Sequence, residues 1–262
     1  MRKLSIEDVK QIQKEILKVF ASYCNQRGLR YYLAYGTLIG SVRHKGYIPW
    51  DDDIDVIMPR PDYERFIKDY KDERYIVFSP GIRKDCPFPY AKLYDSQTVM
   101  KERTDISYSI GLNIDIFVLD GLPDDLSQAK KHIRKCSIWI NIIEAKKISL
   151  SRTRNWTRNA LLLLLKILLS PIPFRRCLDQ LVRLNKEYPF ETCSFCSDLC
   201  YTGALHIDKR VFENGCKGMF EGESYSIPKG YDTWLHAVYG DYMRLPPMEK
   251  RVTHHAYEAY MK

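Results

Sequence analysis

Four aspartates stand close together in the segment Trp50-Asp51-Asp52-Asp53-Ile54-Asp55. Asp53 and Asp55 are two positions apart at the start of a β-branched run, so on a strand both side chains point to the same face. Converging carboxylate oxygens suit Mg²⁺ or Mn²⁺, which prefer hard oxygen ligands and usually share them with substrate phosphates. The spacing therefore favours a divalent-metal site, with an acidic exposed turn as the alternative interpretation.

A further aspartate stands alone in an apolar segment, Leu112-Asn113-Ile114-Asp115-Ile116-Phe117. A carboxylate in a buried strand is costly unless it is paired or bound to a metal. If this strand lies beside the first one, Asp115 completes a centre of three carboxylates with Asp53 and Asp55. A strand-end aspartate that faces solvent is the alternative.

The dipeptide Gly36-Thr37 follows an aromatic run, residues 29–35, that we interpret as a buried strand. Glycine permits a close approach to the backbone and threonine supplies a hydroxyl, and both features suit the binding of a phosphate group. The basic residues Arg43 and Lys45 follow a few positions later. They are candidates to neutralise the same phosphates, with an ordinary basic turn as the alternative.

Four cysteines in the last third of the chain raise the question of a structural Zn²⁺. Cys193 and Cys196 have the spacing of a metal knuckle, whereas Cys200 and Cys216 follow at irregular distances. Buried free thiols are the interpretation that we favour. Disulfides are not expected, because the N-terminal segment lacks the apolar run of a signal peptide and a cytoplasmic location is predicted.

The elements that must position these residues form a mixed pattern of helices and strands. Ser5 and Asp8 predict a helix N-cap, and the apolar positions that follow have helical spacing as far as residues 25–28. Further periodic segments predict strands at 54–58, 75–79, 91–94, 98–101 and 112–118, helices at 61–71, 126–147, 155–169, 174–187 and about 230–239, and a hairpin near 220–227. We therefore predict an α+β fold, with a mixed β-sheet flanked by helices, in one domain over residues 1–262. A basic helical insertion is expected at about residues 124–190.

The charge of the chain is concentrated in this insertion. Residues 126–190 contain 14 Lys/Arg against 3 Asp/Glu, a balance of +11 in a chain whose formal charge is +8. Such a segment suggests an anionic partner, and we expect a nucleotide, a phosphorylated polymer or a lipid surface rather than a nucleic acid. The apolar stretch 160–169 is too short to span a bilayer. It is interpreted as a buried helix or, given the flanking arginines, as a peripheral contact with the inner face of the plasma membrane.

Several segments together resemble a known family. The longest is Tyr35-Gly36-Thr37-Leu38-Ile39-Gly40-Ser41-Val42-Arg43-His44-Lys45-Gly46-Tyr47-Ile48-Pro49-Trp50-Asp51-Asp52-Asp53-Ile54-Asp55, and it resembles the signature of the LicD family, whose relatives include fukutin and fukutin-related protein. The resemblance continues at Ala91-Lys92-Leu93, Ile114-Asp115-Ile116-Phe117, Tyr239-Gly240-Asp241-Tyr242-Met243 and Lys250-Arg251-Val252-Thr253-His254-His255. These segments extend along nearly the whole chain, but residues 126–220 carry little that is diagnostic.

The resemblance implies a nucleotidyltransferase-like fold and transfer of a phosphorylated alcohol, phosphocholine above all, from a CDP-linked donor. The acceptor is then a hydroxyl of a cell-surface glycan, a lipid-linked glycan or a teichoic acid precursor, and CMP is released. Carried onto this chain, it implies metal binding by Asp53, Asp55 and Asp115, and donor-phosphate binding by Gly36 and Thr37. We add as hypotheses a proton acceptor, Asp115 or else Asp51, and phosphate-facing cations at Arg43, Lys45, Lys92, Arg251 and His254.

Choline carries a quaternary ammonium, which binds aromatic faces. The candidates near the motifs are Tyr47, Trp50, Tyr90, Trp234 and Tyr239. Since the chain has 19 tyrosines, aromatic content by itself does not separate a choline donor from a ribitol or glycerol donor.

Three other functions, two of them enzymatic, use these residue types. A nucleotidyltransferase would transfer the nucleoside monophosphate and release pyrophosphate. A glycosyltransferase with an Asp-x-Asp motif would leave Gly36-Thr37 and Asp115 unexplained. A glycan-binding protein without activity is expected to lack one of the three acids, and none is lacking here.

Overall fold

The computed structural model describes residues 1–102, 106–150, 155–253 and 257–262. The strands in these ranges are β1 Arg2–Lys3, β2 Tyr32–Leu33, β3 Asp55–Pro59, β4 Tyr75–Phe78, β5 Ala91–Asp95, β6 Thr98–Glu102, β7 Asn113–Leu122, β8 Phe195–Asp198, β9 Ile207–Asp208, β10 Cys216–Phe220, β11 Glu223–Ile227 and β12 Tyr257–Met261. The α-helices are α1 Ile6–Arg27, α2 Tyr35–Ile39, α3 Arg60–Asp69, α4 Leu126–Lys147, α5 Trp156–Leu169, α6 Phe174–Asn185 and α7 Tyr231–Tyr239.

A mixed seven-stranded sheet forms the centre of the fold, with the order β2-β3-β7-β5-β4 and with β8 and β9 continuing from β7. β3 and β7 are parallel, whereas their other neighbours in the sheet are antiparallel. The side chains of Val56, Ile57 and Met58 in β3 are fully buried, and so is Ile54 just before it. Because successive side chains of a strand point to opposite faces, their burial shows that β3 is covered on both faces of the sheet. The mixed sheet and the helices around it confirm the predicted α+β fold.

Helix α1 begins and ends where the sequence predicts. Ser5 and Asp8 form a capping box, in which the Ser5 hydroxyl accepts the Asp8 N–H at 3.1 Å and the Asp8 carboxylate accepts the Ser5 N–H at 3.1 Å. The helix ends at Gly28, whose φ of 62° is a left-handed conformation that glycine adopts without strain. The buried face of α1 then packs in the main core with Phe20, Phe66 and Tyr31 in edge-to-face contact.

Helices α4, α5 and α6 lie in the chain between β7 and β8, over the residues at which the insertion is predicted. α4 and α6 pack together around a second, smaller apolar core that includes Ile140, Cys177 and Leu181. α5 contains no buried residue. Among the described residues, no helix has both the length and the apolar character needed to cross a bilayer. The assignment of all 262 residues to one domain stays a prediction.

The prediction of a strand at residues 29–35 is only partly right, because β2 ends at Leu33 and Tyr35 begins α2. α2 continues directly into a π-helical turn at Gly40–His44. A side chain at Gly40 would place its Cβ 2.4 Å from the carbonyl oxygen of Gly46. Only glycine permits this close packing, which folds the chain back towards the aspartate segment.

Candidate active site

The aspartates of β3 and β7 lie side by side. Asp55 is the first residue of β3 and is in register with Asp115 on the parallel strand β7, and the Asp115 N–H donates to the carbonyl of Ile54 at 2.9 Å. Asp55, Asp115 and Asp53 line the same cavity, which has a volume of about 500 Å³. The parallel pairing of two distant segments therefore brings the three predicted acids to one end of the sheet.

A second grouping of acids involves the segment before β3. Asp51, Asp52 and Asp53 each present a carboxylate oxygen, and these oxygens lie within 4.8 Å of one another. In the described part of the chain, no other three His, Cys, Asp or Glu side chains come together in this way. Asp52 is buried, with 5% exposure, whereas Asp51 and Asp53 are half-buried. Asp53 also lines the cavity with Asp55 and Asp115, but among the described residues these three predicted acids do not themselves form a group whose oxygens all lie within 4.8 Å of one another.

The electrostatics of the site favour a bound cation. Burial raises the pKa of Asp55 well above its usual range, and the negative charges of Asp53, Asp115 and Asp51 raise it further, while Lys92 acts in the opposite direction. Repulsion of this kind is relieved when a divalent ion binds the carboxylates. Hard oxygen donors in this number fit Mg²⁺ or Mn²⁺.

Lys92 is paired with one of the acids. It lies on β5 directly opposite Asp115, and its Nζ contacts Asp115 Oδ1 at 2.5 Å and Asn113 Oδ1 at 3.3 Å. The lysine is only 7% exposed, and its ammonium lies 4.6 Å from the centroid of the Phe88 ring. Lys92 therefore orients the Asp115 carboxylate, in addition to any contact that it makes with a phosphate.

Gly36 and Thr37 lie in the first turn of α2 beside the acids. Thr37 is 2% exposed, and its hydroxyl accepts the Asp55 N–H at 2.9 Å, so it fixes the start of β3. A Cβ at Gly36 would lie 2.5 Å from Oδ2 of Asp51, so the absence of a side chain makes room for that carboxylate. These contacts assign Thr37 a positioning role, because little of its hydroxyl is open to a phosphate.

The predicted basic residues do not all meet at one place. Arg43 and Arg251 line a second cavity of about 700 Å³, together with Trp50 and Tyr239. The Arg251 guanidinium lies 5.4 Å from the Trp50 ring, and burial and the charge of Arg251 lower the pKa of Arg43. Lys45 lies elsewhere, with its Nζ donating to the carbonyl of Val42 at 3.2 Å. His254 lies outside the described residues.

Tyr239 lines both cavities, so the two cavities are adjacent to each other. The acids lie in the first cavity and the two arginines in the second. A ligand with a cationic end and a phosphorylated end therefore finds complementary charge along this surface.

Sequence reasoning missed a buried carboxylate in the first cavity, Asp198 at the end of β8. Its Oδ2 accepts the Tyr35 hydroxyl at 2.6 Å and its Oδ1 accepts the Cys200 N–H at 2.8 Å. Burial raises the pKa of Asp198 to about 6, against the effect of these hydrogen bonds. The local sequence gives no signal for this contact, since Tyr35 and Asp198 are 163 positions apart.

The zinc hypothesis is not supported. All four cysteines are among the described residues, yet they do not form a group with converging sulfurs. Cys196 is buried within β8, the Cys200 thiol contacts the carbonyl of Pro89 at 3.8 Å, and that of Cys216 contacts the carbonyl of Pro228 at 3.8 Å. Free thiols, the favoured interpretation, agree with these separate environments.

Comparison with known proteins agrees with the resemblance in the sequence. The family described as LicD/FKTN/FKRP, nucleotidyltransferase domain, matches residues 28–120, which include α2, the aspartate segment and most of β7. The chain is also 32% identical over 273 aligned positions to the lipopolysaccharide cholinephosphotransferase LicD of Haemophilus influenzae, and the match covers 100% of both chains. A match at this identity over the full length of both proteins shows common descent, and this chain belongs to the LicD family.

Proposed function

We propose that this protein transfers phosphocholine from CDP-choline to a hydroxyl of a cell-surface glycan or a teichoic acid precursor and releases CMP. The similar protein of Haemophilus influenzae is named as a lipopolysaccharide cholinephosphotransferase. The observation that carries the proposal is the parallel pairing of β3 and β7, which brings Asp55 opposite Asp115 in the cavity that Asp53 also lines. Beside it, the arginine-lined second cavity offers a complement to the phosphates of the donor.

The acidic residues fit a resident Mg²⁺ or Mn²⁺, because the donor set consists of hard oxygens. Asp53 and Asp55, with Asp115 as the third acid, would hold the ion, and Asp51 and Asp52 reinforce the negative charge around Asp53. When bound, such an ion stabilises negative charge on phosphoryl oxygens.

The reaction itself is a displacement at phosphorus. The acceptor hydroxyl attacks the phosphorus that bears choline, the bond from that phosphorus to the bridging oxygen of the diphosphate breaks, and CMP leaves with the electron pair. Asp115 accepts the proton of the acceptor hydroxyl, and Lys92 holds its carboxylate in place through the 2.5 Å contact. Arg43 and Arg251 bind the phosphate of the nucleotide, which carries added charge as CMP departs.

The decisive experiment identifies the product. Purified protein is incubated with CDP-choline, Mg²⁺ and a glycan acceptor, and we expect release of CMP with transfer of choline to the acceptor. Chelation of the divalent ion with EDTA is expected to abolish the release, and added Mg²⁺ to restore it. Formation of pyrophosphate would instead identify a nucleotidyltransferase, and preferred use of CDP-ribitol or CDP-glycerol would assign another alcohol.

We further propose that α5 attaches the protein to the membrane that carries a lipid-linked acceptor. Seven apolar side chains of this helix are exposed: Trp156, Leu161, Leu163, Leu164, Leu165, Ile167 and Leu168. Lys166 and Lys146 hold the helix against α4 through hydrogen bonds to backbone carbonyls. An anionic bilayer is the matching surface, because the insertion is strongly basic and would bring cations to the lipid headgroups.

Replacing Leu164 and Leu168 together by aspartate is expected to reduce binding to anionic phosphatidylglycerol vesicles at least about tenfold. Each leucine contributes about 1.5–3 kcal/mol when it is buried in an apolar medium. Vesicle flotation measures the effect, and Ile82→Asp is the matched control, since Ile82 is an exposed apolar residue outside the insertion. Equal flotation of all variants would exclude α5 as the membrane contact.

A further inference from the structure

The first cavity has an aromatic wall, formed in part by side chains of β7 and of the segment that follows β8. The rings of Tyr90 and Phe117 lie with centroids 4.5 Å apart, and the Tyr201 ring lies 5.1 Å from Phe117 and 5.9 Å from Tyr90. Tyr35 continues this wall, at 5.4 Å from Phe117 and 5.6 Å from Trp234. These five aromatic side chains therefore line one cavity.

A carboxylate completes this wall, because Asp198 lines the same cavity and is buried. Its hydrogen-bond donors, the Tyr35 hydroxyl and the Cys200 N–H, are both neutral, and no ion pair of Asp198 occurs among the described residues. Lys92, the cation on the cavity lining, contacts Asp115 instead. Aromatic faces together with a carboxylate form a site for a cation that cannot donate hydrogen bonds.

We infer that Tyr35, Tyr90, Phe117, Tyr201, Trp234 and Asp198 form the subsite for the trimethylammonium group of choline. This assignment rests on the proposed function, and it names the side chains that select the alcohol of the donor. A cavity of about 500 Å³ is large enough for choline beside an acceptor hydroxyl.

The polar groups of the wall argue against a polyol in this place. The Tyr201 hydroxyl donates to the Tyr90 hydroxyl at 3.2 Å, the Tyr35 hydroxyl donates to Asp198, and the Ser197 hydroxyl accepts the Leu205 N–H at 3.0 Å. A ribitol or glycerol chain needs several hydrogen-bond partners, and its hydroxyls lose hydration if they do not find them. A quaternary ammonium has no such requirement.

The subsite also fixes the direction of the donor. The phosphorus bonded to choline then lies at Asp53 and Asp55, and the nucleotide extends past Tyr239 into the cavity with Arg43 and Arg251. In this orientation choline and the reacting phosphorus both lie in the first cavity, and the nucleotide lies in the second.

Direct titration with choline chloride tests the subsite without turnover, and 3,3-dimethyl-1-butanol is the neutral isostere with the same shape. Binding is followed by tryptophan fluorescence or calorimetry of the full chain. We expect choline to bind at least about tenfold more tightly than the isostere, because cation–π and carboxylate contacts require the charge. Equal binding of the two compounds would overturn the assignment.

Variants of Tyr201 and Asp198 locate the binding. Tyr201 is 44% exposed, so its replacement leaves the core intact. Tyr201→Leu is expected to weaken choline binding about tenfold, Asp198→Asn by a similar factor, and Tyr201→Phe, which keeps the ring, by less than about twofold. Tyr260→Leu, in the remote strand β12, is the matched control. Circular dichroism verifies the fold of each variant.

The two proposals fail in distinguishable ways. Wild-type CMP release from CDP-choline, together with unchanged choline affinity in Tyr201→Leu and Asp198→Asn, would overturn the subsite and leave the proposed function in place. Absence of CMP release with choline binding that depends on Tyr201 and Asp198 would overturn the proposed reaction and support the subsite.

Discussion

Asp53→Asn and Asp55→Asn are each expected to reduce kcat for CMP release from CDP-choline by about 10²–10⁴-fold at saturating Mg²⁺. Asp53 belongs to the close aspartate cluster, and Asp55 is half-buried beside the negative charges of Asp53, Asp115 and Asp51, which raise its pKa further. Asparagine keeps the shape of each side chain but removes the charge that a divalent ion requires. Loss of several kcal/mol of transition-state stabilisation corresponds to a rate effect of this size.

Turnover is measured over a wide range of Mg²⁺ concentrations, so that weakened metal affinity is separated from lost chemistry. Asp69→Asn at the end of α3 is the control, since this exposed acid lies away from both cavities. Both site variants should stay folded, because removing one charge from a group of repelling carboxylates relieves repulsion. Turnover within about threefold of wild type in both variants would contradict the proposed metal site.

The second large effect is expected at Asp115. Asp115→Asn removes the proposed proton acceptor and should reduce kcat by about 10²–10⁴-fold, with a much smaller change in KM for the donor. The Lys92 ammonium loses its carboxylate partner in this variant, although Asn113 still accepts from it. Steady-state kinetics with donor and acceptor varied separately measure the two parameters.

Two further variants identify what Asp115 does. Asp51→Asn tests the other candidate for proton acceptor, and a large loss of kcat there with little loss in Asp115→Asn would reassign the role. Lys92→Met removes the group that orients Asp115, and we expect an intermediate loss of kcat, because the acceptor carboxylate remains but is less well positioned. Thermal unfolding of each variant separates lost activity from lost stability.

The sequence by itself determined the local elements of this protein and the acids that lie in its site. The capping box at Ser5 and Asp8, the glycine stop at Gly28 and the helices of the insertion follow from short-range patterns, because caps and apolar spacing act within a few residues. The segment from Tyr35 to Asp55 indicates the LicD family without any tertiary structure, because a resemblance over so many consecutive residues does not arise by chance.

The tertiary structure alone decided how these residues meet. The pairing of β3 with β7 places Asp55 opposite Asp115, and that of β5 with β7 places Lys92 against the same carboxylate. Thr37, predicted to bind a phosphate, accepts the Asp55 N–H at the start of β3, and Asp198 in the cavity accepts the Tyr35 hydroxyl. Strand order and register depend on burial over the whole chain, so contacts between residues about 20 to 160 positions apart leave no local pattern to read.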